Sequence, residues 1–299
     1  SLQASTQADF SLVTDLGTSA RMIGLGRIEG FDTSAASVFE NPAALAYVGE
    51  SSISLFRTNL VNEFHYNNMA IAIEIPFGKL GFGYMEMVSY DLYSTATANI
   101  EGGERFIVVD SFDYKNQVYK FSYQWDVFDD LFIGVTYSFY QLAFEKVRGE
   151  GANLDLGVIY QGANFRISSM LKHLVPGSQV VYDNGAKEYL PFMAMLGVEY
   201  NVSHDLGVYA QYKGRYQNTT DGRDMYHLGA YGVRYNPDFV PYLTLFTGYR
   251  NDLVLDDIRS NMTLGLELSM YGFRAAYAFE KSDVPGFDNK NYFSIAINY

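Results

Sequence analysis

Four histidines, His65, His173, His204 and His227, are the first residues to weigh as acids, bases or metal ligands. They lie far apart, mostly at the ends of apolar runs or in turns. Ser203-His204-Asp205 holds the letters of a hydrolytic relay, but consecutive residues cannot converge on one nucleophile, so the tripeptide reads as a tight turn. Gly24-Leu25-Gly26 lacks a third glycine at the required spacing and follows no strand, which excludes a dinucleotide loop. Asn218 to Asp224 (NTTDGRD) offers acidic oxygens without the order of a calcium loop and also reads as a turn. There is no Cys and no paired His. The sequence therefore assigns no catalytic residue, no metal and no cofactor, and the chain reads as a non-enzyme.

The elements that carry these residues are ribbons. The chain has 299 residues, with 26 Tyr, 22 Phe, 27 Gly and a formal net charge of -13, and it holds no basic stripe, which argues against a nucleic-acid partner. Without cysteines the fold relies on packing and backbone pairing. No run of about eighteen apolar residues occurs, so a transmembrane helix is excluded. The start, SLQASTQADF, lacks a charged stretch followed by an apolar one, so any secretory leader is expected to have been removed.

Strict alternation is the dominant pattern. In LFIGVTYSFYQL, Leu131, Ile133, Val135, Tyr137 and Phe139 share one face, and Gly134, Thr136, Ser138 and Tyr140 the other. NMTLGLELSMYG sets Met262, Leu264, Leu266, Leu268 and Met270 against Thr263, Gly265, Glu267 and Ser269. The closing NYFSIAINY does the same with Phe293, Ile295, Ile297 and Tyr299. Fourteen such segments are read between residues 51 and 299, each near the roughly 9 to 11 residues that a tilted strand needs to cross a bilayer. Tight connections (PFGK, DVFDD, QGAN, NVSHD, NPDFV, SMYG) alternate with longer polar loops at 91–113, 175–188, 252–259 and 281–289. A soluble sandwich would also alternate, but charges recur in the polar phase at Glu74, Lys120, Asp155, Arg166, Glu199, Lys213, Arg215, Glu267 and Arg274, which a dry core does not tolerate. Trp125, Tyr200 and Tyr235 lie beside short turns, as interfacial girdles require.

A ring of about fourteen strands is too wide for its own side chains to fill. The Gly-, Ala- and Ser-rich stretch before the first strand, residues 17–48, suits a compact plug inside it. Asp32 or Thr33 is expected to cap a short helix through SAASVF, and Asn41-Pro42 to start another at PAALA. The charges Arg21, Arg27, Glu29 and Glu40 have two readings: pairing with wall residues such as Glu199, Glu267 or Arg274, or lining a wet passage.

GTSARMIGLGRIEGFDTSAASVFENPAALA resembles the N-terminal signature of FadL-like outer-membrane proteins, particularly the shorter PorV/PorQ-type branch. The positions that carry it are Ser19, Ala20, Arg21, Gly24, Gly26, Asp32, Ser34, Ala35, Asn41, Pro42, Ala43 and Leu45. The resemblance is specific over about the first fifty residues and architectural beyond them. It implies an all-β transmembrane antiparallel barrel of about fourteen strands (51–299) holding an N-terminal plug, or hatch (1–50), in a Gram-negative outer membrane. It further implies either a channel for small hydrophobic compounds by passive diffusion, or a non-transporting scaffold of a secretion or surface-attachment complex. The partners expected are outer-membrane lipid, a small hydrophobic ligand, and a partner protein at the extracellular rim.

The third segment, KLGFGYMEMVSYDL, breaks the pattern: Leu80, Phe82 and Tyr84 define the outer phase, yet Glu86 follows in it, with Met85 and Met87 in the inner phase. Two expectations stand side by side. Either a bulge at Gly81 and Gly83 swaps the faces and opens a wall defect toward the plug, as the resemblance implies for a substrate exit, or Glu86 sits near the headgroups. The ligand-contacting residues expected are Arg21, Met22, Ile23, Gly24, Leu25, Val38, Phe39, Asn41, Pro42 and Leu45 of the plug, with Gly81, Gly83, Met85, Glu86 and Met87 of the strand-three wall.

Overall fold

A computed structural model describes residues 16–60, 64–100, 103–177, 179–219, 222–254, 257–281 and 289–299. After two short helices, α1 (Ala20–Gly24) and α2 (Ser37–Glu40), and a 3-10 helix (Pro42–Tyr47), everything is strand. The first seven are β1 (Ser51–Leu60), β2 (Phe64–Ile75), β3 (Gly78–Ile100), β4 (Gly103–Phe128), β5 (Leu131–Phe144), β6 (Val147–Gln161) and β7 (Phe165–Lys172). A small hairpin, β8 (Gln179–Tyr182) and β9 (Lys187–Tyr189), precedes β10 (Phe192–Asn201), β11 (Leu206–Thr219), β12 (Gly222–Tyr235) and β13 (Leu243–Val254). The series ends with β14 (Asp257–Met270), β15 (Phe273–Glu280) and β16 (Lys290–Asn298).

Fourteen of these strands form one closed antiparallel meander. Sequence neighbours pair all the way round, β7 pairs with β10 past the small hairpin, and β1 pairs with β16 to seal the ends. Closure leaves no barrel edge with unsatisfied N–H and C=O groups, the condition for crossing a hydrocarbon layer with strands. The connections after β2, β4, β6, β10, β12 and β14 share one rim, here the short-turn rim. The opposite rim, here the long-loop rim, carries the two longest connections, at 173–191 and 281–289, beside short ones such as 145–146. Asn218 to Asp224 is not the turn expected: Asn218 and Thr219 end β11 and pair with Arg223 and Gly222 of β12, and residues 220 and 221 lie outside the described residues.

The alternation read from sequence sorts inside from outside. Gly134, Thr136, Ser138 and Tyr140 of β5 are buried, as are Thr263 and Glu267 of β14, with Gly265 between them half-buried. Met262, Leu264, Leu266, Leu268 and Met270 project outward, 39–59% exposed. Leucines at this exposure on strand after strand make a continuous apolar belt that water would not favour and a bilayer would. Phe77, Trp125, Phe128, Tyr200, Tyr235, Phe239, Tyr271 and Tyr299 ring the short-turn rim, an aromatic girdle. Lys120, Asp155, Arg166, Glu199, Glu267 and Arg274 are buried on the inner face, but Glu74, in the same phase, sits exposed at the rim beside Lys79.

Three loop readings are corrected, the first at 252–259, where β13 and β14 stay paired from Asp252/Arg259 to Val254/Asp257. Residues 91–113 are not a polar loop: β3 and β4 continue through them as a two-stranded ribbon, paired to Ile100 and Gly103 beyond register shifts at Ser89/Leu92 and Ser94/Thr95. Residues 175–188 contain β8 and the start of β9, and β8 pairs with β6 above the end of β7. In these last two places the strand-favouring runs Phe106–Val109 and Val180–Tyr182 find partner strands, and their polar neighbours are carried into the ladder.

Placing a guanidinium at mid-belt (Leu266→Arg) should destabilise the barrel by about 2–4 kcal/mol in a bilayer. Urea titration of folding into phosphocholine vesicles measures this; an unchanged midpoint would show that lipid does not cover that face.

Candidate functional site

Residues 16–48 lie inside the ring, nearly all buried. Ser19 caps α1, its hydroxyl accepting from the Met22 amide at 3.1 Å. Gly26 (φ +77°) and Arg27 (φ +63°) then turn the chain back in the left-handed region, where glycine is unstrained. Asn41 caps the 3-10 helix as expected, its side-chain oxygen accepting from the Ala43 amide at 3.0 Å. Asp32 instead caps a turn at Ser34, accepting from its amide at 2.9 Å, and α2 begins only at Ser37 with no side-chain cap.

Side chains tie this segment to the wall at points spread around the ring. Arg21 pairs with Glu267 of β14 at 3.1 Å, and Arg27 with Glu280 of β15 at 2.7 Å. Arg274 faces Asp32 at 3.5 Å and donates to Thr33 at 3.0 Å. Glu29 takes ammonium groups from both Lys172 of β7 (2.5 Å) and Lys213 of β11. The Gln211 amide holds the Glu29 backbone on both sides, accepting from its N–H at 3.1 Å and donating to its carbonyl at 2.8 Å. Asn41 donates to Ser168 (2.9 Å) and to the Ser169 carbonyl (3.1 Å). Removing one partner of such a buried pair is costly because the other charge stays behind. Of the two readings of the segment charges, pairing holds for Arg21, Arg27 and Glu29. Glu199 is not among their partners: it pairs across the wall with Arg166.

Glu40 differs. Among the described residues it meets no cation, and it accepts from the Thr18 hydroxyl (2.7 Å) and the Gly30 amide (3.0 Å). Burial and the neighbouring Asp32 push its carboxyl up to about 8. Burial would raise Glu29 as well, but Lys172 and Lys213 outweigh it and hold that carboxyl at about 2.

The wall makes room with glycine. A Cβ on Gly248 of β13 would lie 2.0 Å from the Gly26 nitrogen, and one on Gly157 of β6 would lie 1.9 Å from the Asn41 side-chain oxygen. Lumen-phase glycines at 81, 83, 134, 197, 232 and 265 face the segment in the same way. Gly81 and Gly83 approach Val38 and Phe39, so they serve close packing, not a kink. β3 pairs without a shift from Gly78 to Val88 on one side and from Lys79 to Ser89 on the other, so no bulge swaps its faces there. Glu86 stays in the outer phase, registered with Asn67 and Gln117, and its carboxylate accepts from the Tyr84 hydroxyl at 2.6 Å. These groups form a polar patch above Leu80 and Phe82, so the acid avoids mid-belt depth.

The expected contact residues separate into three groups. Ile23, Val38, Phe39 and Leu45 join Met85 and Met87 in one apolar cluster with Ala70, Val118 and Leu142. Leu25 faces away, packing with Ile28, Phe31, Tyr209 and Phe246. Asn41 and Pro42 lie against β5 and β6, where Gly134 and Gly157 admit them. Gly24 packs on Phe246 and Gly265, and Arg21 lies over the Phe246 ring at 5.1 Å. Met22 is buried beside Thr18, whose hydroxyl lies 3.4 Å from its sulfur. The Glu29 clamp and the glycine seat went unread, although Gly134 and Gly265 in the lumen phase were their visible signal. Ser203-His204-Asp205 is an exposed turn: Ser203 accepts from the Leu206 amide and His204 meets Asp205, so the three form no relay.

A cavity of about 20 Å³ between segment and wall is lined by Arg21, Asp32, Ser54, Glu267 and Arg274. That is room for a water molecule, far below what an aromatic ring needs.

No protein-family model matches this chain, and no curated protein matches it. Solved structures do. The Pseudomonas putida toluene transporter TodX is 12% identical with a TM-score of 0.68, covering 96% of this chain and 99% of that one. The monoaromatic hydrocarbon channel CymD is 13% identical with a TM-score of 0.65, over 95% and 98%. A Pseudomonas aeruginosa FadL homologue is 12% identical with a TM-score of 0.57, over 94% and 98%. At these identities what is shared is the fold.

Two outcomes follow for docking of the segment. Gly248→Ala should force it off its seat while the barrel stays folded, read as faster proteolysis near residue 26 with unchanged strand circular dichroism. The Glu40 carboxyl, raised from 4.5 to about 8, binds its proton more tightly docked than free. Docking is therefore strongest below about pH 4.5 and weakens as pH rises through 8. Proteolysis should accelerate over that window in the parent chain, and Glu40→Gln should flatten the profile; a flat profile in both would remove Glu40 from the docking balance.

Proposed function

We propose that the chain is an outer-membrane channel for small hydrophobic compounds, with residues 16–48 as a plug that must shift for passage. One observation carries this reading: inside a barrel with the fold of hydrocarbon channels, the lumen is occupied by a segment whose apolar side rests on Met85 and Met87. The apolar cluster continues upward to Leu142 and to Val180 and Tyr182 of the β8–β9 hairpin at the long-loop rim. A nonpolar solute that passes the rim charges, such as Glu188 beside Tyr182, meets this apolar side of the segment.

The charged contacts lie on other sides of the segment. Arg21–Glu267, Arg27–Glu280 and Lys172–Glu29 hold it against β14, β15 and β7, whereas Val38 and Phe39 meet strand three through apolar contacts. Hydrogen bonds to neutral acceptors lie at the ends of the segment, from Lys79 to the Val48 carbonyl and from Tyr66 and Asn68 of β2 to the Gly17 and Thr18 carbonyls. Passive diffusion then requires displacement of Val38 and Phe39 from Gly81 and Gly83, without breaking the ion pairs. Continuous pairing of β3 leaves no lateral gap at residues 78–89, so the route runs between plug and wall. In this reading the expected plug and strand-three residues act together as the solute contact surface, with Leu25 on the anchored side.

Deletion of residues 1–46 separates the alternatives. A channel should raise the uptake rate of an apolar naphthylamine probe into vesicles in the parent form, and gain ion conductance without selectivity when truncated. A scaffold barrel, as in the PorV/PorQ-type reading, would gain conductance on truncation yet give no probe uptake above empty vesicles in the parent form.

A further inference from the structure

The ribbon formed by residues 90–113 is the least expected part of the molecule. β2 pairs with β3 only as far as Val88, and β5 with β4 only as far as Tyr114. Beyond those points β3 and β4 pair with each other alone, for about ten residues each, roughly 30 Å past the rim. An aromatic group braces the base: Phe112 lies 4.9 Å from Phe144, and Phe64 lies 5.8 Å from Tyr114. The arm above has no third strand among the described residues.

Its outer edge belongs to the β4 run RFIVVDS. Phe106 is 81% exposed, Val108 61% and Val109 57%, and Ile107 and Tyr93 are exposed as well. Apolar side chains therefore stand on both faces of a strand whose outer N–H and C=O groups pair with no strand. Neither Pro nor Lys, the usual guards of such edges, occurs in residues 91–113. An isolated two-stranded ribbon is marginal in water, whereas a third strand would satisfy the edge and set side chains beside those of β4 on each face. Charge selects the occupant. Residues 91–113 hold five acids (Asp91, Glu101, Glu104, Asp110, Asp113) against Arg105 alone. A second copy would bring the same negative charge, and a lipid surface bearing phosphates would be repelled and could not satisfy the backbone groups.

We propose that this ribbon is a docking arm that accepts a basic, extended segment of another protein as an added strand along the Arg105–Ser111 edge of β4. The inference stands independently of the channel reading.

The test uses the full chain in detergent and a fluorescent nine-residue peptide alternating valine with lysine, beside its valine–glutamate counterpart. The basic peptide should bind with salt-sensitive affinity. Binding should fall at least about tenfold in two variants: one with residues 94–110 replaced by an Asn-Gly turn, and one carrying Phe106→Lys with Val108→Lys, which keeps the arm. The chain has no Cys, so Val109→Cys gives a unique cross-linking point, and efficiency should alternate along cysteine-scanned peptides as strand pairing requires. Equal binding to the shortened variant, equal binding of the glutamate peptide, or cross-linking without alternation would overturn the proposal. So would arm-dependent dimerisation of the chain, or arm-dependent binding to phosphatidylglycerol vesicles in place of the peptide.

Discussion

A wall that must leave no backbone group unpaired has to close, and closing fourteen strands encloses a hole their own side chains cannot fill. Everything distinctive in this molecule answers that constraint. The segment of residues 16–48 enters the hole with donors and acceptors met by short helices, caps and wall side chains at Ser19, Asn41 and elsewhere. The wall in turn gives up side chains where the segment touches it, at Gly134, Gly157, Gly248 and Gly265 among others. Segment and wall are complementary because neither side can be packed alone.

The forces holding the segment are unevenly distributed. Toward β7, β11, β14 and β15 it is clamped by paired charges; toward β3 no ion pair among the described residues holds it, only Val38, Phe39 and Leu45 against glycine and methionine and a hydrogen bond from Lys79 to the Val48 carbonyl at the rim. Buried ion pairs resist separation because an abandoned charge is expensive. Dispersion contacts with flexible Met85 and Met87 re-form around another apolar body at little cost. The asymmetry gives the lumen one side suited to a nonpolar solute. Glu40, buried with no cation beside it among the described residues, adds a weak point that depends on its proton.

Glu86 shows how a local anomaly is resolved by place. Its out-of-phase position was visible in the string of residues, and a face-swapping bulge and a headgroup-level acid accounted for it equally. Pairing decides it: the register brings Asn67 and Gln117 to its level, so a polar patch borders the belt and β3 runs straight past it. The irregularity of that strand lies farther on, at Ser89 to Leu92, where Asp91 takes a φ of +55° and the projecting ribbon begins.

The sequence by itself determined the strand period, the sign of each face and the presence of inner charges. A two-residue repeat fixes which side every residue of a strand shares, so Glu267, Asp155 and Arg274 could be placed inward before any partner was known. Asn41-Pro42 likewise dictated its own cap. Tertiary structure alone decided which charges meet, since Glu29 gathers lysines from β7 and β11, 143 and 184 residues away. It also decided that residues 91–113 pair as strands: Phe106, Ile107, Val108 and Val109 favour extended backbone, but only the facing run of β3 shows that the polar and acidic residues around them continue the ladder. Spacing along a chain encodes what a residue does locally, whereas curvature and closure set what it finds across the lumen.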